Sequence, residues 1–287
     1  PVGPGSFGGV FGALRKHVTT RTIRDSAAML DQLCGDELGA LYRMPKPERS
    51  FLSAMDTKVK RLRVAFSTRS PSGRLAQTDC IEAVIKTAQL CQELGHEVEE
   101  VNFSYDWQTL IQGFMDVHAC VGIQGNVNRL TKLTGEKLDE DTLEYSNLAL
   151  LKHAELLKAA QVYEAQVNLL AISRTAEEFF SDWDVLITPT CLSVAPLLGK
   201  INGNRAETTA YDWADKVFSE FAAFTTIFNI TGQPAMSVPL HYSNDGLPVG
   251  IQIAGRIGAE VTLIQLAAQL EEVCPWDQRH PKISLYS

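Results

Sequence analysis

Residues 228–255 read FNITGQPAMSVPLHYSNDGLPVGIQIAG and contain two apolar, β-favouring runs. The runs are Ala235 to Leu240 and Val249 to Ala254, and a turn-rich segment from Tyr242 to Gly246 separates them. This pattern predicts a β-hairpin with a connection of about five residues. Both runs are almost continuously apolar, which is typical of strands that are covered on both faces by helices.

Pro239 interrupts the first of these runs, and a proline has no backbone N–H to donate to a sheet ladder. We therefore expect the first strand to bulge or to end at this residue. Gly232, Gly250 and Gly255 indicate a backbone that passes close to a neighbour. That neighbour is either another strand or a ligand.

The remaining chain predicts strands alternating with helices. Further strands are predicted at 62–67, 97–101 and 184–188. Helices are predicted at 23–33, 79–94, 107–133, 147–180, 212–229 and 259–274, with a surface connection at 36–60. A strand, a helix and a second strand between 62 and 101 form a βαβ unit, which implies parallel pairing. Together these elements predict an α/β fold whose mixed β-sheet core is flanked by helices on both faces.

Composition restricts the class of protein. The chain has 287 residues and a net charge of −8, so it lacks the excess of Lys and Arg that nucleic-acid and anionic-membrane surfaces need. No apolar run reaches the ~18 residues of a transmembrane helix. Its six cysteines have no Cys-x-x-Cys spacing and its six histidines are scattered, so we expect no metal site. Reduced thiols in a cytoplasmic protein are the expectation.

Three segments carry a family resemblance. GQPA at 232–235 followed by GLPVGIQ at 246–252 resembles the C-terminal signature of the amidase-signature hydrolases. TRTIRDSAAMLD at 20–31 resembles the segment that follows the catalytic core of the same family. The resemblance covers essentially the whole chain but only the second half of the family's domain. It also implies that the helical region 147–180 is two helices with a break around Lys158.

The resemblance implies a domain organisation and an activity. Residues 1–287 would be the C-terminal portion of a single amidase-signature domain, with a connecting region and helix at 1–60 and the sheet and helices at 61–287. Family members hydrolyse amides without a cofactor, using a nucleophilic serine, a second serine on a cis peptide bond and a lysine base. Their GSSGGS and GGSIR-like motifs are absent from this sequence. The resemblance therefore implies no catalytic residue in this chain, a start downstream of the nucleophile, and no activity of the chain alone.

Five residues are predicted to line the substrate pocket. The resemblance places the end of the 212–229 helix and the loop after it beside the acyl or leaving group. Residues that follow the 184–188 strand are further candidates, because ligands bind at the carboxyl ends of strands. For the aromatic residues of the helix, core packing is the alternative. The candidates are Thr190, Cys191, Thr225, Phe228 and Asn229.

Two functions from different classes fit these features. The first is hydrolysis of a small carboxamide, or of a linear or cyclic amide, by the parent enzyme of this chain. The alternative is a non-catalytic α/β binding or partner module, which the missing nucleophile, base and oxyanion loop favour. If the first half of the domain is absent, an apolar seam is left uncovered. We then expect a homo-oligomer or association through that seam.

Overall fold

The structure of the protein is a computed structural model. It describes residues 12–13, 15, 17–35, 47–206 and 208–279. Part of the predicted connecting region 1–60 therefore lies outside the described residues. None of the helices within the described ranges is long and apolar enough to cross a membrane.

The described strands form one five-stranded mixed sheet. Their bounds are Arg63–Phe66 (β1), Glu97–Glu100 (β2), Val185–Pro189 (β3), Ala235–Tyr242 (β4) and Pro248–Gly255 (β5). The spatial order is β2-β1-β3-β5-β4, in which β1 runs parallel to β2 and β3, and β5 runs antiparallel to β3 and β4. The predicted mixed α/β sheet, its parallel βαβ unit and the hairpin are all confirmed.

Strand β4 bulges at Pro239, as its missing N–H requires. Pairing with β5 is regular up to Val238, shifts, and resumes at His241. The strand therefore continues past the proline and ends at Tyr242. Within the described part of the sheet, β4 pairs with β5 alone and forms one edge.

Helices account for most of the remaining described chain. The α-helices are Ile23–Leu33 (α1), Phe51–Ala54 (α2), Thr78–Glu93 (α3), Trp107–Val117 (α4), Gly125–Thr134 (α5), Tyr145–Leu156 (α6), Ala159–Asp182 (α7), Ala210–Ala214 (α8), Thr226–Thr231 (α9) and Glu260–Val273 (α10). Two π-helical segments, His118–Gln124 and Asp215–Ser219, continue α4 and α8. The predicted break around Lys158 is confirmed, since Leu157 and Lys158 are extended between α6 and α7.

The sheet lies between two buried cores. Val64 and Ile187 face a core that includes residues of α1, α2, α3 and α10. Ala65 and Leu186 face the opposite core, which includes residues of α4, α6, α7, α8 and α9. Neighbouring residues of one strand thus face different cores, as the pleat requires. The predicted placement of helices on both faces is confirmed.

The predicted helix at 212–229 is wrong, because the chain there is broken into α8, a π-helical segment, a turn and α9. Two carbonyls that a continuous helix would use internally have other donors. The Phe221 carbonyl accepts from the Leu192 amide at 2.9 Å, and the Phe224 carbonyl accepts from Gln252 Nε2 at 3.0 Å. Tertiary contacts with the sheet therefore override the helical spacing of the aromatic residues.

The prediction of a plain surface connection at 36–60 is also incomplete. Residues 36–46 of that segment lie outside the described chain, but 51–54 form the short helix α2. Asp31 holds the start of this helix, because its carboxylate accepts from the Phe51 amide at 2.7 Å and the Leu52 amide at 3.0 Å. Phe51 is consequently buried in the core.

Candidate functional site

The topology of the sheet creates a crevice at the carboxyl ends of β1 and β3. The crossover from β1 to β2 contains α3, which packs on one face, whereas the crossover from β2 to β3 contains α4 to α7, among which α4 and α7 pack on the other. The connection after β1 leads to β2 on one side, whereas the connection after β3 leads to β4 and β5 on the other, so β1 and β3 meet at a topological switch point. In open α/β sheets, ligands bind in the crevice at such a point.

A cleft lies at this switch point, and we call it the switch-point cleft. Its enclosed volume is about 10 Å³, which has room for one water molecule. It is lined by residues after β1 and β2, by residues of β3 and by residues of α9 and the turn before it. Its lining includes Ser67, Arg69, Phe103, Tyr105, Thr188 and Phe228.

Two hydroxyl groups in the switch-point cleft are buried without a partner. Ser67 Oγ and Tyr105 OH have no hydrogen bond within the described part of the chain. Ser67 is only 1% exposed. Burial raises the pKa of Tyr105, so its phenol stays protonated and can donate. Buried polar groups normally have a partner, and the exceptions point to functional sites or to bound solvent.

Gln252 connects the switch-point cleft to the hairpin. It is 3% exposed on β5, and its Nε2 donates to Thr188 Oγ1 and to the Phe224 carbonyl, both at 3.0 Å. The Thr188 hydroxyl in turn donates to the Pro189 carbonyl at 3.0 Å. These bonds link two strands to the turn that precedes α9, and so fix the wall that α9 contributes.

Of the predicted pocket residues, Phe228 lines the switch-point cleft and is 4% exposed. Its ring is 6.3 Å from that of Phe103 and nearly parallel to it. Thr225 and Asn229 are half-buried and do not line this cleft. The Thr225 hydroxyl donates to the Ala222 carbonyl at 3.1 Å, and Asn229 Nδ2 donates to the Ala13 carbonyl at 3.0 Å. Of the five predicted residues, Phe228 alone lines the switch-point cleft.

The other two predicted residues follow β3. Thr190 Oγ1 and Ser237 Oγ lie 2.7 Å apart beside Gly250. A Cβ at Gly250 would lie 2.7 Å from the serine oxygen and 2.8 Å from the threonine oxygen, so the close neighbours of this glycine are side chains of adjacent segments. Cys191 is half-buried, and burial raises its pKa to about 11, with Cys80 as a smaller cause. Its thiol is therefore protonated at neutral pH, which does not suit a nucleophile.

A second polar cluster joins α4, α6 and α8, and no local sequence pattern predicted it. Asp116 Oδ1 lies 2.6 Å from His153 Nε2, and the Tyr211 ring packs edge-on against the imidazole at 5.3 Å. His118 follows at the start of the π-helical segment, where Nδ1 is buried without a partner among the described residues. Burial lowers the pKa of His118. Only the folded chain brings these residues together, since 37 positions separate Asp116 from His153.

The fold is that of the amidase-signature enzymes. The structure matches a bacterial aryl acylamidase of that family with a TM-score of 0.74 at 22% identity, over 90% of this chain and 53% of the other. The chain belongs to the amidase family, since the family model described as Amidase matches residues 16–264.

Two relatives illustrate this membership. The 6-aminohexanoate-cyclic-dimer hydrolase of Paenarthrobacter ureafaciens is 31% identical over 96% of this chain and 56% of its own length. The putative amidase AmiC of Mycobacterium tuberculosis strain H37Rv is 31% identical over 94% of this chain and 54% of its own length. A 6-aminohexanoate cyclic dimer hydrolase solved with substrate has a TM-score of 0.80 at 27% identity, over 91% of this chain and 55% of the other. The chain thus spans about half the length of the curated relatives it matches.

Proposed function

We propose that this chain is the C-terminal portion of one amidase domain that hydrolyses the C–N bond of a small linear or cyclic amide. The observation that carries the proposal is the family match over 16–264 in a chain about half as long as its relatives. One of these relatives is named for hydrolysis of a cyclic amide dimer, which supports this substrate class. We also propose a reducing, cytoplasmic location for the protein. The free thiols of all six cysteines support it.

In the proposed mechanism, the preceding half of the domain supplies a nucleophilic serine, a serine on a cis peptide bond and a lysine base. The nucleophile attacks the amide carbonyl, and the second serine passes its proton to the lysine and back to the leaving amine. Backbone N–H groups stabilise the oxyanion. This chain supplies a wall of the pocket, and the residues nearest the substrate are Thr225 before α9, Phe228 and Asn229 on α9, and Thr190 and Cys191 after β3.

The proposal predicts that residues 1–287 alone hydrolyse no amide above background. Loss of the nucleophile and base of a serine hydrolase removes about a millionfold of the rate, and binding residues alone do not lower the chemical barrier. The test compares this chain with the product of its reading frame extended upstream, by release of ammonia or p-nitroaniline. We expect turnover only from the extended protein.

Two results would contradict the proposal. Turnover by residues 1–287 alone, retained after repurification, would place a catalytic site within the chain. An extended protein that carries no GSSGGS-like segment and hydrolyses nothing would favour the non-catalytic binding module instead.

We also propose that the free side of β4 is the seam that the preceding half covers, and that without this half a second copy of the chain occupies it. Ala235, Ser237 and Pro239 are exposed along this edge strand. Exposed strand edges pair readily with other chains.

A further inference from the structure

We propose that the switch-point cleft binds a small aliphatic carboxylate. The geometry that points to it is the pair of Ser67 and Tyr105 hydroxyls, which have no partner among the described residues, together with the Arg69 guanidinium, which forms no ion pair with a described residue, at the carboxyl ends of β1 and β3. Phe228 lines this cleft and is also a predicted pocket residue, but the inference does not depend on the proposed amidase activity, since its test measures binding and not turnover.

The two hydroxyls favour a ligand that accepts hydrogen bonds. Each loses its hydration on burial and gains no partner from the described part of the chain, which costs free energy until a ligand or water restores the bond. The raised pKa of Tyr105 keeps the phenol in its donating form. A carboxylate accepts hydrogen bonds through two oxygens, which matches two donors that line the same cleft.

Arg69 favours an anionic ligand over a neutral one. Its side chain is exposed on the loop after β1 and forms no ion pair with any described residue. By contrast, Arg74 on the same loop is paired with Asp215 at 2.9 Å. The nearby acid Asp106 is already used, because its carboxylate accepts from the amide and the hydroxyl of Thr109 at the start of α4. Guanidinium groups bind carboxylates in a charge-assisted geometry.

The dimensions of the switch-point cleft limit the size of the ligand. The enclosed space of the cleft is about 10 Å³, which has room for one water-sized group. One carboxylate oxygen fits this space, and the rest of a short acid such as acetate or propionate lies in the part of the cleft that is open to solvent.

The test measures binding of propionate to the 287-residue chain by NMR titration, with propionamide as the neutral probe of the same shape. We expect saturable binding of propionate and at least tenfold weaker binding of propionamide. The variants Ser67→Ala, Tyr105→Phe and Arg69→Gln should each weaken propionate binding about tenfold, the loss expected for one hydrogen bond to a charged group. Arg61→Gln is the control, because Arg61 is also exposed but lies before the opposite end of β1, where it pairs with Glu97 at 3.7 Å, and its loss should leave binding unchanged.

Several results would overturn the inference. Equal binding of propionate and propionamide would remove the role of charge. Unchanged binding in Arg69→Gln would do the same, and this substitution is on an exposed side chain, so it tests the site even if a buried variant fails to fold. A crystal structure from propionate-containing solution that shows only a water between Ser67 and Tyr105 would also reject the carboxylate.

Discussion

Gln252 is the residue whose hydrogen bonds hold the wall of the switch-point cleft. Replacing it by Ala leaves the Phe224 carbonyl without this donor in a buried position. We expect Gln252→Ala to lower the free energy of unfolding by about 1–3 kcal/mol, the usual cost of leaving a buried polar group unpaired. Urea unfolding measures this loss. Gln278→Ala, on an exposed side chain, is the control and should change the stability by less than about 0.5 kcal/mol.

We expect His118 and His241 to make the stability of the chain depend on pH. Burial lowers the pKa of both, and the charges of Lys86 and Arg279 lower that of His241 further. A folded-state pKa below the unfolded value means that the unfolded chain binds the proton first. Stability is therefore complete above the unfolded pKa of about 6.5 and is lost as the pH falls from there through the folded-state values.

The measurement is thermal unfolding at pH 7.5 and pH 5.5. We expect a lower melting temperature at pH 5.5, and a smaller difference between the two pH values in His241→Gln. His17→Gln is the control, because His17 is exposed. An unchanged difference in His241→Gln would show that the imidazole against Thr87 does not carry the effect.

At the scale of secondary-structure elements, the Asp116–His153 contact joins α4 to α6. Both side chains are mostly buried, and their atoms are 2.6 Å apart. We expect Asp116→Ala to lower the free energy of unfolding by about 1.5–3 kcal/mol, the range for a hydrogen bond to a charged group. The control is Glu82→Ala, which breaks the exposed pair with Lys86 and should cost no more than about 0.5 kcal/mol. A double-mutant cycle with His153→Ala would show no coupling if the contact contributed nothing.

Local sequence patterns predicted the elements whose backbone hydrogen bonds follow a regular strand or helix pattern. The apolar runs on each side of 242–246 predicted the hairpin, and the missing N–H of Pro239 predicted its bulge. The helix predicted at 212–229 failed, because Leu192 and Gln252, distant in sequence, take its carbonyls at Phe221 and Phe224. The switch-point cleft was missed for the same reason, since its lining comes from the ends of three strands. A resemblance to the family added the break around Lys158, which periodicity does not indicate.

At the scale of the whole molecule, the free edge of β4 connects the fold to the proposed missing half. We predict that residues 1–287 alone form a dimer or larger assembly, because β4 pairs on one side only within the described sheet and can pair with a second copy before Pro239. The Pro239 and Leu240 carbonyls already accept from Arg279 at 3.1 and 3.3 Å. Light scattering with size-exclusion chromatography measures the mass. Ser237→Lys places a charge on an exposed residue of β4, removes the contact between Ser237 Oγ and Thr190 Oγ1, and should shift the chain towards monomer.

Ser104→Lys is the matched control for this experiment, because it adds the same charge at an exposed position outside the sheet and should leave the assembly intact. The extended protein should behave differently from the isolated chain. Its preceding half would already cover β4, so Ser237→Lys in that context should destabilise the fold instead of changing the mass. A monomeric isolated chain that binds no hydrophobic dye would contradict the seam, whereas dimers unaffected by Ser237→Lys would place the contact on another surface.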